Sequence, residues 1–238
     1  MPKYPNAPLV ETIFEIRYNY CLSVETERHK FGELIKKDFP ELYLPYTKPD
    51  IPPGLQPYKF QNSETKEIIL NSIVRFSYIH QDYPGYEIFK KRALELINLF
   101  CKTYDITMIT GTGFRCINHI PIKRTETKIL PISKYILCNC ELTPKHVVSD
   151  INNISLNIQM PLGEGTLHFV LKNQEIEGLD SEVLVIDFDY IMEGQFKISE
   201  IESNLDISHD VNKQLFYSMI TDTYCKYIKG EEDVDLSQ

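Results

Sequence analysis

Glu11, Glu15 and Arg17 fall at alternate positions of one short segment, Asn6 to Arg17, read as a β-strand. Side chains alternate between the two faces of a strand. Glu11, Ile13, Glu15 and Arg17 therefore share one face, and Val10, Thr12, Phe14, Ile16 and Tyr18 share the other, the expected core face. Arg75 and Ser77 share a face of a second strand. Arg115, Ile117 and His119 share a face of a third, and Asn118 joins the same candidate set. If the charged faces coincide, two carboxylates meet two or three arginines on one side of a sheet. The planar guanidinium fork suits bidentate binding of carboxylate or phosphate, which points to a pocket for an anionic ligand or a peptide. The structural alternative is cross-strand ion pairing, each pair contributing ~0.2–1 kcal/mol. Both readings place Glu11 and Glu15 opposite Arg75, Arg115 or both.

Asp187 and Asp189 lie two apart, on one face of a further strand. Such carboxylates can hold magnesium in phosphoryl-transfer enzymes, and they are the weak metal candidates of this chain. A phosphate cradle does not accompany them. Gly111-Thr112-Gly113 is too short for a P-loop and precedes a strand. The six histidines form no His-Glu-x-x-His pair, and there is no Gly-x-Ser-x-Gly elbow. Cys138 and Cys140 share a face but have no second pair for zinc. The expectation is no cofactor and no catalytic residue.

These residues need a scaffold. A helix is expected from Ser23 to about Phe39, capped by Ser23 and stopped by Pro40. A proline-rich segment from Pro40 to Pro57 reads as an extended strap packed through Leu42, Tyr43, Leu44 and Tyr46. Strands follow at Tyr58–Gln61, Glu67–Ile73 and Val74–His80, with a hairpin turn at Asn62–Thr65. A strong amphipathic helix spans Tyr86 to Tyr104. The second part has strands at Thr112–Ile120, Val147–Met160, Thr166–Lys172 and Glu182–Met192. A short helical turn falls at Pro131–Tyr135 and a tight hairpin at Gly163–Gly165. Ser199 and Glu202 form a capping box for a final helix with the stripe Val211, Leu215, Phe216, Met219, Ile220, Tyr224 and Tyr227, ending at Gly230.

The layout is α+β: a curved, mainly antiparallel sheet packed by long amphipathic helices. It divides into an N-terminal half, 1–105, a C-terminal half, 106–230, the alternative being one continuous domain, and an acidic tail, 231–238, expected to be disordered. Two related halves fit this order of elements, although no residue-level repeat is visible.

The motifs resemble an uncharacterised, sporadically distributed family of bacterial proteins. The likeness starts at Asn-Ala-Pro-Leu-Val-Glu and Phe-Glu-Ile-Arg in Asn6 to Arg17. It continues at Arg75-Phe76-Ser77-Tyr78, at Gly113 to Ile120 and at Val185-Ile186-Asp187. Cys116 stands where that family has an aromatic residue and His119 where it has arginine. The resemblance implies no activity. It implies an accessory, defence-associated setting.

Composition narrows the classes. Net charge −9 and pI near 5.2 disfavour non-specific binding to nucleic acid, which draws on phosphate neutralisation. Lys90-Lys91-Arg92 and Lys123-Arg124 are the local basic runs, read as solvated surface. No apolar run reaches the ~20 residues of a membrane helix. Six cysteines without a Cys-x-x-Cys pair, and no signal-peptide pattern, point to the reducing cytoplasm. The reading is a non-enzymatic interaction or regulatory protein with a protein partner or a second copy of itself, an accessory component of a defence or toxin–antitoxin-like system. The alternatives are a domain binding a small anionic ligand on the Glu/Arg face, and a metal-dependent enzyme acting on nucleotides.

Overall fold

The computed structural model describes residues 4–43, 57–124, 130–137, 153–175 and 182–231. Its strands are β1 (Leu9–Arg17), β2 (Glu41–Tyr43), β3 (Tyr58–Asn62), β4 (Glu67–Asn71), β5 (Arg75–His80), β6 (Met108–Ile122), β7 (Ser155–Leu162), β8 (Gly165–Glu175) and β9 (Glu182–Lys197). The helices are α1 (Ser23–Thr26), α2 (Arg28–Ile35), α3 (Tyr86–Thr103), α4 (Ile201–Met219) and α5 (Asp222–Lys229). The nine described strands form one antiparallel sheet in the order β2-β3-β4-β5-β1-β6-β9-β8-β7. The α+β class and its antiparallel sheet are as the sequence implied.

Alternation decides which face is covered. Phe14 and Ile16 of β1, Phe76 and Tyr78 of β5, and Phe114 of β6 meet the rings and aliphatic chains of α2 and α3 in one apolar core. Phe31 touches Phe60, Phe76 and Phe100 edge-on, with ring centroids 5.2–6.0 Å apart. A second core lies further along the same face. There Leu171, Ile186 and Tyr190 pack with Ile220, Tyr224 and Ile228. No described helix packs on the opposite face, where the charged residues of β1, β5, β6 and β9 stand.

The strand order reads the same outward from the β1–β6 pair. On each side comes a three-strand meander, last strand first: β5, β4, β3 on one side and β9, β8, β7 on the other. Registers correspond as well. Phe14 is opposite Tyr78 as Phe114 is opposite Tyr190, and Ile16 is opposite Phe76 as Cys116 is opposite Phe188. Glu15 is opposite Ser77 as Arg115 is opposite Asp189.

Several local expectations change. The first helix is two: Glu27, at φ −120° and ψ 24°, breaks it between α1 and α2, and Ser23 makes no side-chain cap. Residues 41–43 form the edge strand β2, and Leu42 and Tyr43 are about half exposed rather than packed. Leu44 and Tyr46 lie outside the described residues, as do 147–152, Cys138, Cys140 and the tail from 232. The strand expected to run to Ile73 stops at Asn71, because Ser72 to Val74 make the turn into β5. The expected cap at Ser199 is replaced one turn earlier, where Glu200 Oε2 accepts from the Lys197 N–H at 2.7 Å. The final helix breaks at Ile220, whose extended backbone bridges to Ile136; Thr221 then caps α5. In the basic runs Lys90 pairs with Glu202 and Asp206, Arg92 with Asp38 and Glu67, and Arg124 with Glu182, while Lys91 and Lys123 are exposed.

Candidate functional site

The pairing of β5, β1, β6 and β9 assembles the charged face. Glu15 is its first centre. Its carboxylate accepts from Arg17 Nε at 3.0 Å and from Ser77 Oγ at 2.9 Å, and Arg75 lies 3.9 Å away. Arg17 also reaches Glu193 at 3.8 Å. The Glu15 side chain is 18% exposed, whereas the arginines around it keep more than a third of their surface.

Arg115 forms the second centre. Its Nε donates to both oxygens of Asp187, at 2.9 and 3.1 Å, and an Nη donates to Oδ2 at 2.6 Å. The Asp187 side chain is 9% exposed. This is the bidentate geometry that the guanidinium fork favours. The hydrogen bonds to Asp187 raise the Arg115 pKa, offsetting the opposing effect of burial.

The expected opposition of Glu11 and Glu15 to Arg75 and Arg115 is half realised. Glu15 stands beside Arg75. Arg115 is opposite Ile13 and takes its carboxylate from β9 instead. Glu11 accepts from Gln81 at 3.1 Å and contacts no arginine among the described residues. Asn118 leaves the set altogether. It points to the helix-covered side, where its amide donates to Ile186 O at 3.2 Å. The even-numbered neighbours Phe114 and Ile120 lie on that side too, which is why Asn118 cannot share a face with Arg115.

Asp189 is the group that the pairing leaves over. It has no hydrogen bond or ion pair among the described residues, although His168 is directly opposite it in β8. Burial raises its pKa. Arg115 and His168 oppose that shift, while Asp187 and Glu15 add to it. Asp187 has both oxygens engaged, so the two aspartates do not present a free pair to a metal. Among the described residues, no group of three or more His, Cys, Asp or Glu side chains could hold one.

A cavity of about 130 Å³ lies on the other side of the sheet, under the helices. The N-terminal segment forms one wall through Tyr4, Ala7, Pro8 and Leu9. Cys116, Asn118 and Phe188 form the floor, and His209, Asn212 and Phe216 of α4 the far wall. Of the residues singled out as site candidates, only Asn118 lines it. The N-terminal segment is pinned at both ends: Asn6 bonds to Tyr227 O and Ile228 O of α5, and Pro8 O accepts from His119 N at 2.8 Å.

Sequence reasoning missed α4's part in that wall. Asn204, Ser208 and Asn212 recur at every fourth position and are all buried against the sheet. Their i, i+4 spacing is a visible stripe, but it is polar, and the apolar stripe beginning at Val211 masked it. Asn212 donates to Phe114 O at 2.8 Å, which fixes its amide orientation and leaves Oδ1 without a partner among the described residues. Burial pushes the Cys116 thiol up to about 12, with a hydrogen bond from Asn212 opposing, so it is protonated and unreactive at neutral pH.

No protein-family model matches the chain, and no curated protein matches it.

Proposed function

We propose that this chain is a non-enzymatic binding protein whose charged sheet face docks a basic segment of a protein partner. The observation that carries the reading is Asp189, which has no hydrogen bond or ion pair among the described residues, beside arginines already drawn to other carboxylates. Arg17 and Arg75 are drawn to Glu15, and Arg115 is held by Asp187. An anion arriving at this face must compete with carboxylates already in place. A lysine or arginine from a partner meets an Asp189 that has no partner among the described residues, with Asp187 and Glu15 reinforcing the negative potential. The charge balance thus favours a cationic occupant over the anionic one that the residue types suggest. A magnesium-dependent reaction at Asp187 and Asp189 requires Arg115 to be displaced first.

The matching registers support a second element of this reading: the two halves of the sheet are related, each a strand followed by a meander and a long helix. Phe76-Ser77-Tyr78-Ile79 and Phe188-Asp189-Tyr190-Ile191 then occupy corresponding places, as do Thr12 and Thr112. Glu15 with Arg75 corresponds to Arg115 with Asp187, the same ion pair with its charges exchanged. A cytoplasmic setting rests on the cysteine usage, and an accessory or defence system on the sequence resemblance alone.

Fluorescence anisotropy with labelled octalysine and octaglutamate peptides tests the docking face. Octalysine is expected to bind, and Asp189→Lys to weaken it far more than Glu33→Lys, a control on the distant, exposed α2. Equal weakening by both variants, or tighter binding of octaglutamate, would overturn the reading. A self-association that Asp189→Lys abolishes, seen by sedimentation, would identify the partner as a second copy.

A further inference from the structure

We propose that the cavity beneath α4 is a binding site for a small uncharged ring compound carrying an N–H or O–H donor. Four observations converge on that chemistry. The first is size. An apolar cavity of ~150 Å³ in another protein holds benzene, and this one offers about 130 Å³. A six-membered ring fits.

The second is the lining. Phe188, Phe216, Tyr83 and Tyr217 present ring faces and edges, the surroundings that favour offset or edge-on contact with another ring. Tyr86 and His209 are already stacked on each other, with centroids 3.5 Å apart and planes 13° apart, and so form a rigid part of the wall. Tyr86 is further fixed by donating to Asp206 at 2.6 Å.

The third is the hydrogen-bonding capacity of the wall. Asn118 and Asn212 both spend their amide N–H groups on strand carbonyls, Ile186 O and Phe114 O. Asn212 Oδ1 is buried and accepts no hydrogen bond among the described residues. A buried acceptor with no donor facing it is unusual in a folded chain. A donor on the ligand answers it. The fourth is charge. Burial holds the His209 pKa below its ordinary value despite Asp210 beside it, so the imidazole is neutral at pH 7. The thiol of Cys116 is neutral too. Lys213 is the one charged side chain among the lining residues, so most of the wall offers an ion no partner.

The segment Tyr4 to Leu9 closes one side of the site. It is held by hydrogen bonds at Asn6 and Pro8, with Ala7 between them on the cavity wall.

Three probes at millimolar concentration separate the parts of the proposal: phenol, benzene, and glycerol, which has donors but no ring. Saturation-transfer NMR and thermal unfolding are the readouts, since a ligand bound only to the folded chain raises its Tm. Phenol is expected to bind, benzene about tenfold more weakly for want of the hydrogen bond, and glycerol not at all. Ala7→Leu fills the cavity and is expected to abolish phenol binding while the circular dichroism spectrum is retained. Asn212→Leu is expected to erase the preference for phenol over benzene. Failure of phenol to bind the folded wild-type chain overturns the proposal, as does undiminished binding to a folded Ala7→Leu variant. Should Ala7→Leu not fold, displacement of phenol from the wild type by benzene carries the same decision: competition supports one shared cavity and its absence refutes it.

Discussion

Phe14 and Phe114 stand opposite each other where β1 and β6 pair, both fully buried, and the sheet extends from them in the same order on either side. Two residues before each lies a threonine. Thr12 and Thr112 are 0% exposed, and neither hydroxyl has a hydrogen-bond partner among the described residues.

Those orphaned hydroxyls predict stabilising substitutions. Thr12→Val and Thr112→Val keep the branched shape that suits a strand and remove an unsatisfied buried group. Each is expected to raise stability by about 1 kcal/mol, the lower end of the cost of an unmade buried hydrogen bond. Urea denaturation checks this as a higher midpoint with an unchanged slope.

Arg115 and Asp187 predict a strong coupling. Arg115→Ala leaves a nearly buried carboxylate without its partner. Because Arg115 itself is 42% exposed, the expected loss is about 2 kcal/mol, between the ~1 kcal/mol of a surface pair and the 3–5 kcal/mol of a buried one. The double variant Arg115→Met with Asp187→Leu should recover most of that loss, since it strands no charge. A double variant as unstable as the sum of its single changes would show that the two side chains act independently.

Asp189 predicts a pH dependence of opposite sign to that of an ordinary paired aspartate. Burial raises its pKa, so the folded chain holds the proton more tightly than the unfolded chain. Its contribution to stability is fullest below the ordinary aspartate value and declines as pH rises through the folded value. Asp189→Asn removes that decline. The variant should therefore gain stability relative to wild type as pH rises from about 4 to 7. A constant difference across that range would contradict the assignment.

Gly230 ties the N-terminal segment to α5. Its φ is +72°, and a Cβ there would lie 2.9 Å from Pro5 Cγ. Gly230→Ala is expected to cost about 1–2 kcal/mol through the left-handed backbone alone. It should also loosen the Asn6 contacts with Tyr227 and Ile228. Hydrogen exchange at the Asn6 and His119 amides reports that loosening separately from global unfolding.

Much of the fold is written locally. The period of two in Val10 to Tyr18 separates Phe14 and Ile16 from Glu15 and Arg17, and the period of Phe89, Ala93, Leu96, Ile97 and Phe100 makes α3 amphipathic. Both signals come from residues a few positions apart, and both survive in the structure. The breaks at Glu27 and Ile220 are less legible. The second depends on a bridge to Ile136, far along the chain.

The sequence by itself determined which residues share a face, because alternation along a strand is a property of the backbone. Only the tertiary structure decided who meets whom. Arg115 takes Asp187, 72 residues away, rather than Glu11 or Glu15. Asp189 is left over, and Asn118 turns into a cavity roofed by the N-terminal segment. Those outcomes follow from strand order and register, which are set by the burial of both apolar cores at once and are recorded in no single stretch of residues.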